Sequence, residues 1–113
     1  MAYNNCLYLT FQGISEGDGV SKKVFSQKNA FIELGLNTSI IYPKINNNQI
    51  IYYKDSNHFY TINYQSYKQG QKELFNKIYE YITISDIQIL YIRYCVNANR
   101  IFVNFLKKRT ALR

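Results

Sequence analysis

The chain has 113 residues, so we expect a single domain over residues 1–113. Hydrophobic residues make up 47% of it, which excludes an intrinsically disordered chain, and no apolar run is long enough to span a membrane. The formal net charge of +7 favours partners that carry phosphate or another negative charge. A solvated surface with scattered lysines would give the same charge balance.

Short apolar runs alternate with amphipathic segments along the whole chain, and turn residues separate them. The predicted elements are strand 6–11, loop 12–19, helix 20–34, strand 38–42 ended by Pro43, hairpin strands 49–54 and 58–64 around a three-residue loop, helix 68–82, strand 87–94 and helix 98–108. The first strand, helix and strand form one βαβ unit, whose crossover should be right-handed.

This order of elements predicts an α/β fold with a mostly parallel, Rossmann-like sheet, a β-hairpin insertion and flanking helices. Ligands in such sheets bind beyond the carboxyl ends of the strands. The loop at residues 12–19, rich in glycine, follows the first strand and lies at that edge. Residues 93–98, which include the end of the predicted strand 87–94, lie there too.

Glycines in this loop would let a ligand approach the backbone closely, and the amides that open the next helix carry partial positive charge. The spacing matches neither GxGxxG, because position 22 is a lysine, nor the phosphate-binding P-loop, because position 18 is an aspartate. A plain turn with Gly19 near the helix N-cap therefore stays open as an alternative. Lys22 and Lys23 add positive charge beside this loop, and together with Arg93 they are candidate ligand contacts.

Arg93 ends a predicted buried strand. Its side chain either faces the ligand edge or pairs with a carboxylate such as Asp86, and both alternatives stay open. No cluster of His, Cys and carboxylate residues has the spacing of a metal site, so we predict no metal. Cys6 and Cys95 form no Cys-x-x-Cys pair, a reducing compartment suits them, and no signal peptide is visible. We therefore expect a cytoplasmic protein.

Two long segments are informative when they are taken together. Residues 8–43 read YLTFQGISEGDGVSKKVFSQKNAFIELGLNTSIIYP, and residues 86–109 read DIQILYIRYCVNANRIFVNFLKKR. They resemble, in this order, the N-terminal domain of bacterial family 4 glycosyltransferases, which have the two-domain GT-B fold. The matching positions are Gly19-Val20, Ala30-Phe31, Leu34-Gly35 and 39–43 in the first segment, and Asp86, 91–94, Phe102 and 105–108 in the second.

The resemblance implies transfer of a sugar, with retained configuration, from a nucleotide-sugar donor to a saccharide or lipid-linked acceptor in surface polysaccharide biosynthesis. It implies that this domain binds the acceptor. It also implies that Gly17, Asp18, Gly19 and Val20 form a phosphate loop near the donor diphosphate, where backbone amides could stabilise the leaving group. No cofactor is expected, and the nucleotide sugar would bind mainly to a C-terminal domain absent from this chain.

The chain departs from the family in length, because a complete two-domain enzyme is roughly three times as long. We therefore expect residues 1–113 to be an incomplete, acceptor-side domain that is inactive alone. The catalytic residues stay unknown, and His58 in the hairpin should not inherit the family's histidine role.

Other functions remain open. One is a stand-alone α/β binding or interaction module that dimerises through an exposed sheet edge or binds an anionic partner. Peripheral contact with the inner membrane face, through the basic helix that ends at Arg113, could accompany the transferase function. Nucleic-acid binding ranks last and is not expected, because no motif combines stacking aromatic residues with basic ones.

Overall fold

A computed structural model describes residues 5–11, 19–93 and 96–111, with side chains described for 5–11, 22–93 and 100–108. Within these ranges the protein is an α/β domain with one sheet and three α-helices. The elements are β1 (Asn5–Leu9), α1 (Gly19–Glu33), β2 (Asn37–Asn46), β3 (Gln49–Lys54), β4 (Asn57–Asn63), a 3₁₀ turn (Tyr64–Ser66), α2 (Tyr67–Ile84), β5 (Ile89–Ile92) and α3 (Val96–Ala111).

The sheet has five strands in the order β4-β3-β2-β1-β5, and its pairing is mixed. β1 lies at the centre of the parallel part and pairs in parallel with β2 on one side and β5 on the other. β3 and β4 extend the sheet beyond β2 through antiparallel pairs. The expected mostly parallel sheet is therefore wrong, because the hairpin forms part of the main sheet and does not stand as an insertion outside it.

β2 is longer than predicted, because it continues through Pro43 to Asn46. β1 pairs with β2 only as far as Ile41, so beyond that residue the described part of the chain gives β2 one neighbour, β3. A proline, which lacks a backbone N–H, is tolerated where a strand has a free edge. β3 then turns into β4 through two residues, Asp55 and Ser56, both with positive φ (49° and 79°), and not through the predicted three-residue loop.

α1 covers one face of the sheet with a core made mainly of aromatic residues. Tyr8, Ile40 and Tyr42 project from β1 and β2 toward Val24 of α1. The rings of Phe25 and Tyr42 pack in a T-shaped, edge-to-face arrangement with their centroids 5.5 Å apart. The tyrosines on this face are therefore structural residues and not an exposed binding surface.

α2 and α3 cover the opposite face, where the larger core lies. Leu7, Leu9 and Ile41 point to this side because successive residues of a strand alternate between faces. Helix residues that complete this core include Leu74, Phe75, Ile78 and Phe102. The connection β1-α1-β2 moves along the sheet in one direction, and β4-α2-β5 moves in the opposite direction. Two crossovers of the same hand then place their helices on opposite faces, as α1 and α2 are placed here.

Candidate functional site

The carboxyl ends of the three parallel strands meet at one edge of the sheet, which we call the carboxyl edge. Beyond β1, the Thr10 N–H donates to the Ile41 carbonyl over 3.1 Å, and the Arg93 N–H donates to the Leu9 carbonyl over 2.8 Å. Thr10 is completely buried. These bonds hold the ends of β1, β2 and β5 together at the point where an α/β sheet offers a ligand site.

The candidate phosphate loop leads from this edge into α1. Gly17 and Asp18 lie outside the described residues, whereas Gly19 and Val20 open α1. Lys22 and Lys23 are exposed in the described structure, about 4.5–6 Å along the helix axis from Gly19. The first turn of α1 contains no acidic residue. The positive end of the helix dipole repels the charges of nearby lysines. A bound anion would relieve this repulsion, and both the helix amides and the lysines would stabilise it.

Arg93, the third candidate contact, points beneath α1. Its Nη1 donates to Gln27 Oε1 over 3.0 Å, and the same oxygen accepts the Tyr8 hydroxyl over 2.5 Å. Gln27 lies about 12 Å along α1 from Gly19. The four-residue strand β5 separates Asp86 from Arg93, and among the described residues no ion pair joins the two.

Burial raises the pKa of Tyr8, although the neighbouring Arg93 guanidinium offsets part of this increase. Tyr8 therefore stays protonated at neutral pH and donates to Gln27. Its ring also contacts Tyr91 and Phe31, with centroids 4.9 and 6.0 Å away. This cluster fixes the end of β5 against α1. The sequence did not indicate Gln27, because 66 residues separate it from Arg93.

A second concave region lies where β2, β3 and β4 extend past the end of β1. β2 continues five residues beyond Ile41, about 17 Å in extended conformation. Residues 46–49 and 63–66 line an open cavity of about 840 Å³ there, which we call the amide recess. Six of these eight residues are Asn or Gln, and the others are Tyr64 and Ser66. In the sequence this region is visible only as three consecutive asparagines, at residues 46–48.

Main-chain and side-chain bonds join the two walls of the amide recess. Gln49 Nε2 donates to Asn63 Oδ1 over 3.0 Å, and the Tyr64 N–H donates to the Asn48 carbonyl over 3.2 Å. Asn47 turns the chain with a φ of 29°, a conformation that asparagine tolerates better than most residues. The two walls therefore form one connected structure on the extended hairpin.

The described residues contain no group of three or more His, Cys, Asp or Glu that could hold a metal ion. Cys6 is buried, and that burial raises the pKa of its thiol above the usual value. His58 is exposed and shares a 2.7 Å hydrogen bond with Thr61 Oγ1. Among the described helices, none combines the length and the apolar character needed to cross a membrane.

Comparisons with models of known protein families, with curated proteins and with solved structures give no match for this chain.

Proposed function

We propose that the chain is the acceptor-side domain of a glycosyltransferase, which moves a sugar from a nucleotide-sugar donor to a saccharide or lipid-linked acceptor in surface polysaccharide biosynthesis. The donor diphosphate would contact Gly17, Asp18, Gly19 and Val20, near Lys22 and Lys23. The isolated domain would not transfer sugar, because the residues that hold the rest of the donor belong to a second domain.

One observation carries this proposal. The parallel unit β1-α1-β2 starts α1 at the carboxyl edge, and that helix opens with two exposed lysines and no acidic residue in its first turn. This combination favours a phosphate-bearing ligand over a neutral one. The resemblance of residues 8–43 and 86–109 to family 4 glycosyltransferases supplies the reaction class.

Binding of uridine diphosphate (UDP) to two charge-matched variants tests the proposal. Lys22→Gln/Lys23→Gln and Lys107→Gln/Lys108→Gln each lower the formal net charge from +7 by 2, to +5. An exposed charge pair contributes about 0.2–1 kcal/mol, and the first variant removes two such pairs with the diphosphate. This variant should therefore bind UDP roughly two- to thirtyfold more weakly than the wild type. The second variant should bind it as the wild type does. Equal weakening in both variants would show that only net charge matters, and would contradict the proposal.

A stand-alone interaction module is the second candidate function. β5 has only four residues and forms one edge of the described sheet, with Ile89 39% exposed at its start. An edge strand of this kind can pair with another chain. Sedimentation equilibrium would support this function if it gave a dimer that Ile89→Lys dissociates, and a monomer at high protein concentration would contradict it.

A further inference from the structure

We infer that the amide recess binds a neutral oligosaccharide, and that, if the proposed transferase function holds, this oligosaccharide is the part of the acceptor away from the reaction centre. The acceptor role rests on the proposed function, whereas the binding itself does not.

None of these lining residues carries a charge at neutral pH. A recess for an anion usually carries at least one cationic side chain, and a recess for an apolar ligand needs an apolar lining. Each Asn and Gln side chain offers both a donor NH₂ group and an acceptor carbonyl. Sugar hydroxyls are also donors and acceptors at once, so a neutral polyhydroxyl ligand suits this lining best.

The recess keeps donors and acceptors available for a ligand. Gln49 and Asn63 form a hydrogen bond with each other, whereas in the described ranges the side-chain amides of Asn48 and Gln65 make no hydrogen bond to protein. Tyr64 is 44% exposed. Its ring face can pack against the C–H face of a sugar, and its hydroxyl can form a hydrogen bond with a sugar hydroxyl. The paired walls fix the backbone from which these exposed side chains project.

The volume of the recess and its distance from the carboxyl edge indicate how long the ligand is. Its cavity of about 840 Å³ lies in the range of about 300–1,000 Å³ that is usual for small-molecule sites. It begins about 17 Å beyond the end of β1, measured along β2. A single sugar could not occupy the recess and also reach the carboxyl edge. We therefore expect a linear chain of several sugars, bound more tightly than its monosaccharide.

The test is an NMR titration of ¹⁵N-labelled protein with maltohexaose, with a linear hexamer of N-acetylglucosamine and with the corresponding monosaccharides. The hexamers should shift the amide signals of residues 46–49 and 63–66 and bind more tightly than the monosaccharides. The variant Asn48→Ala/Gln65→Ala should bind roughly fivefold more weakly or worse, since it removes two neutral hydrogen-bonding groups. The matched control, Asn29→Ala/Asn104→Ala, removes two exposed amides from α1 and α3 and should bind like the wild type.

No signal change with either hexamer, or equal affinity of both double variants, would overturn the inference. The outcome separates this site from the proposed function. Saccharide-induced shifts at the recess, in a protein that shows no response to UDP, would support the saccharide site and contradict the phosphate site on which the proposed function rests. A response to UDP without one to the hexamers would refute the recess as a saccharide site and leave the transferase proposal standing.

Discussion

Gly70 of α2 is packed so closely against β4 that a methyl group would have to displace a side chain. A Cβ atom at this position would lie 2.9 Å from Ile62 Cγ2, 3.3 Å from its Cγ1 and 3.4 Å from its Cβ. Ile62 is only 2% exposed and branched at Cβ, so it has little freedom to move away. The contact therefore sets how closely α2 approaches the extended hairpin.

The substitution Gly70→Ala has two opposing effects on the free energy of unfolding. Overpacking of a close contact costs about 1–3 kcal/mol. Alanine favours a helix over glycine by about 0.8–1 kcal/mol. We expect a net loss of about 0–2 kcal/mol in the wild-type background.

The background variant Ile62→Ala removes the two nearest atoms, Cγ1 and Cγ2, at its own cost of about 2–5 kcal/mol. In that background Gly70→Ala should stabilise the protein by up to about 1 kcal/mol, because only the helix preference remains. Urea unfolding of the four proteins in this double-mutant cycle measures the change of sign. If Gly70→Ala stabilised the protein equally in both backgrounds, the close packing of α2 on β4 would be refuted.

Three further changes test other parts of the structure. Asp55→Ala should lower the free energy of unfolding by about 1–3 kcal/mol in urea, since Oδ1 accepts the N–H of buried Ile40 over 3.0 Å, whereas Asp55→Asn keeps an acceptor and should cost less. A hydrogen bond from Tyr60, and to a smaller extent one from Gln69, lowers the pKa of the exposed Glu73 carboxyl. The stabilisation from these bonds is complete above the unfolded-state pKa and is lost as the pH falls through the folded-state pKa. Tyr60→Phe should raise the pKa of Glu73 in an NMR titration, and an unchanged pKa would exclude the bond. Phe102→Ala should cost about 3–5 kcal/mol in the same urea assay, because the ring is completely buried, and a loss below about 1 kcal/mol would show that α3 does not pack there.

The type and order of the helices and strands could be predicted from hydrophobic periodicity, because each element buries one face or both. The pairing of the strands could not be predicted to the same degree. The local sequence predicts that Pro43 ends a strand, but the cost of a proline depends on whether a neighbouring strand needs the missing N–H. That neighbour, β1, ends before it reaches Pro43, which is a property of the sheet and not of the local sequence.

The candidate site follows the same division. The carboxyl edge was predictable, since it follows from the order strand, loop and helix at the start of the chain. The partner of Arg93 was not, because Gln27 is distant in sequence and the residue after a strand gives no sign of the face it will take. The amide recess needed the pairing of Gln49 with Asn63, which places two polar segments side by side.

The measurement that tests the transferase proposal most directly is a comparison of UDP with uridine in an NMR titration of the wild-type protein. The two ligands share the base and the ribose, so their difference reports the diphosphate alone. We predict that UDP shifts the amide signals of Gly17, Asp18, Gly19 and Val20 and that uridine leaves them unchanged. The same response to both ligands at these amides, or no response to UDP at millimolar concentration, would contradict a phosphate site at the start of α1.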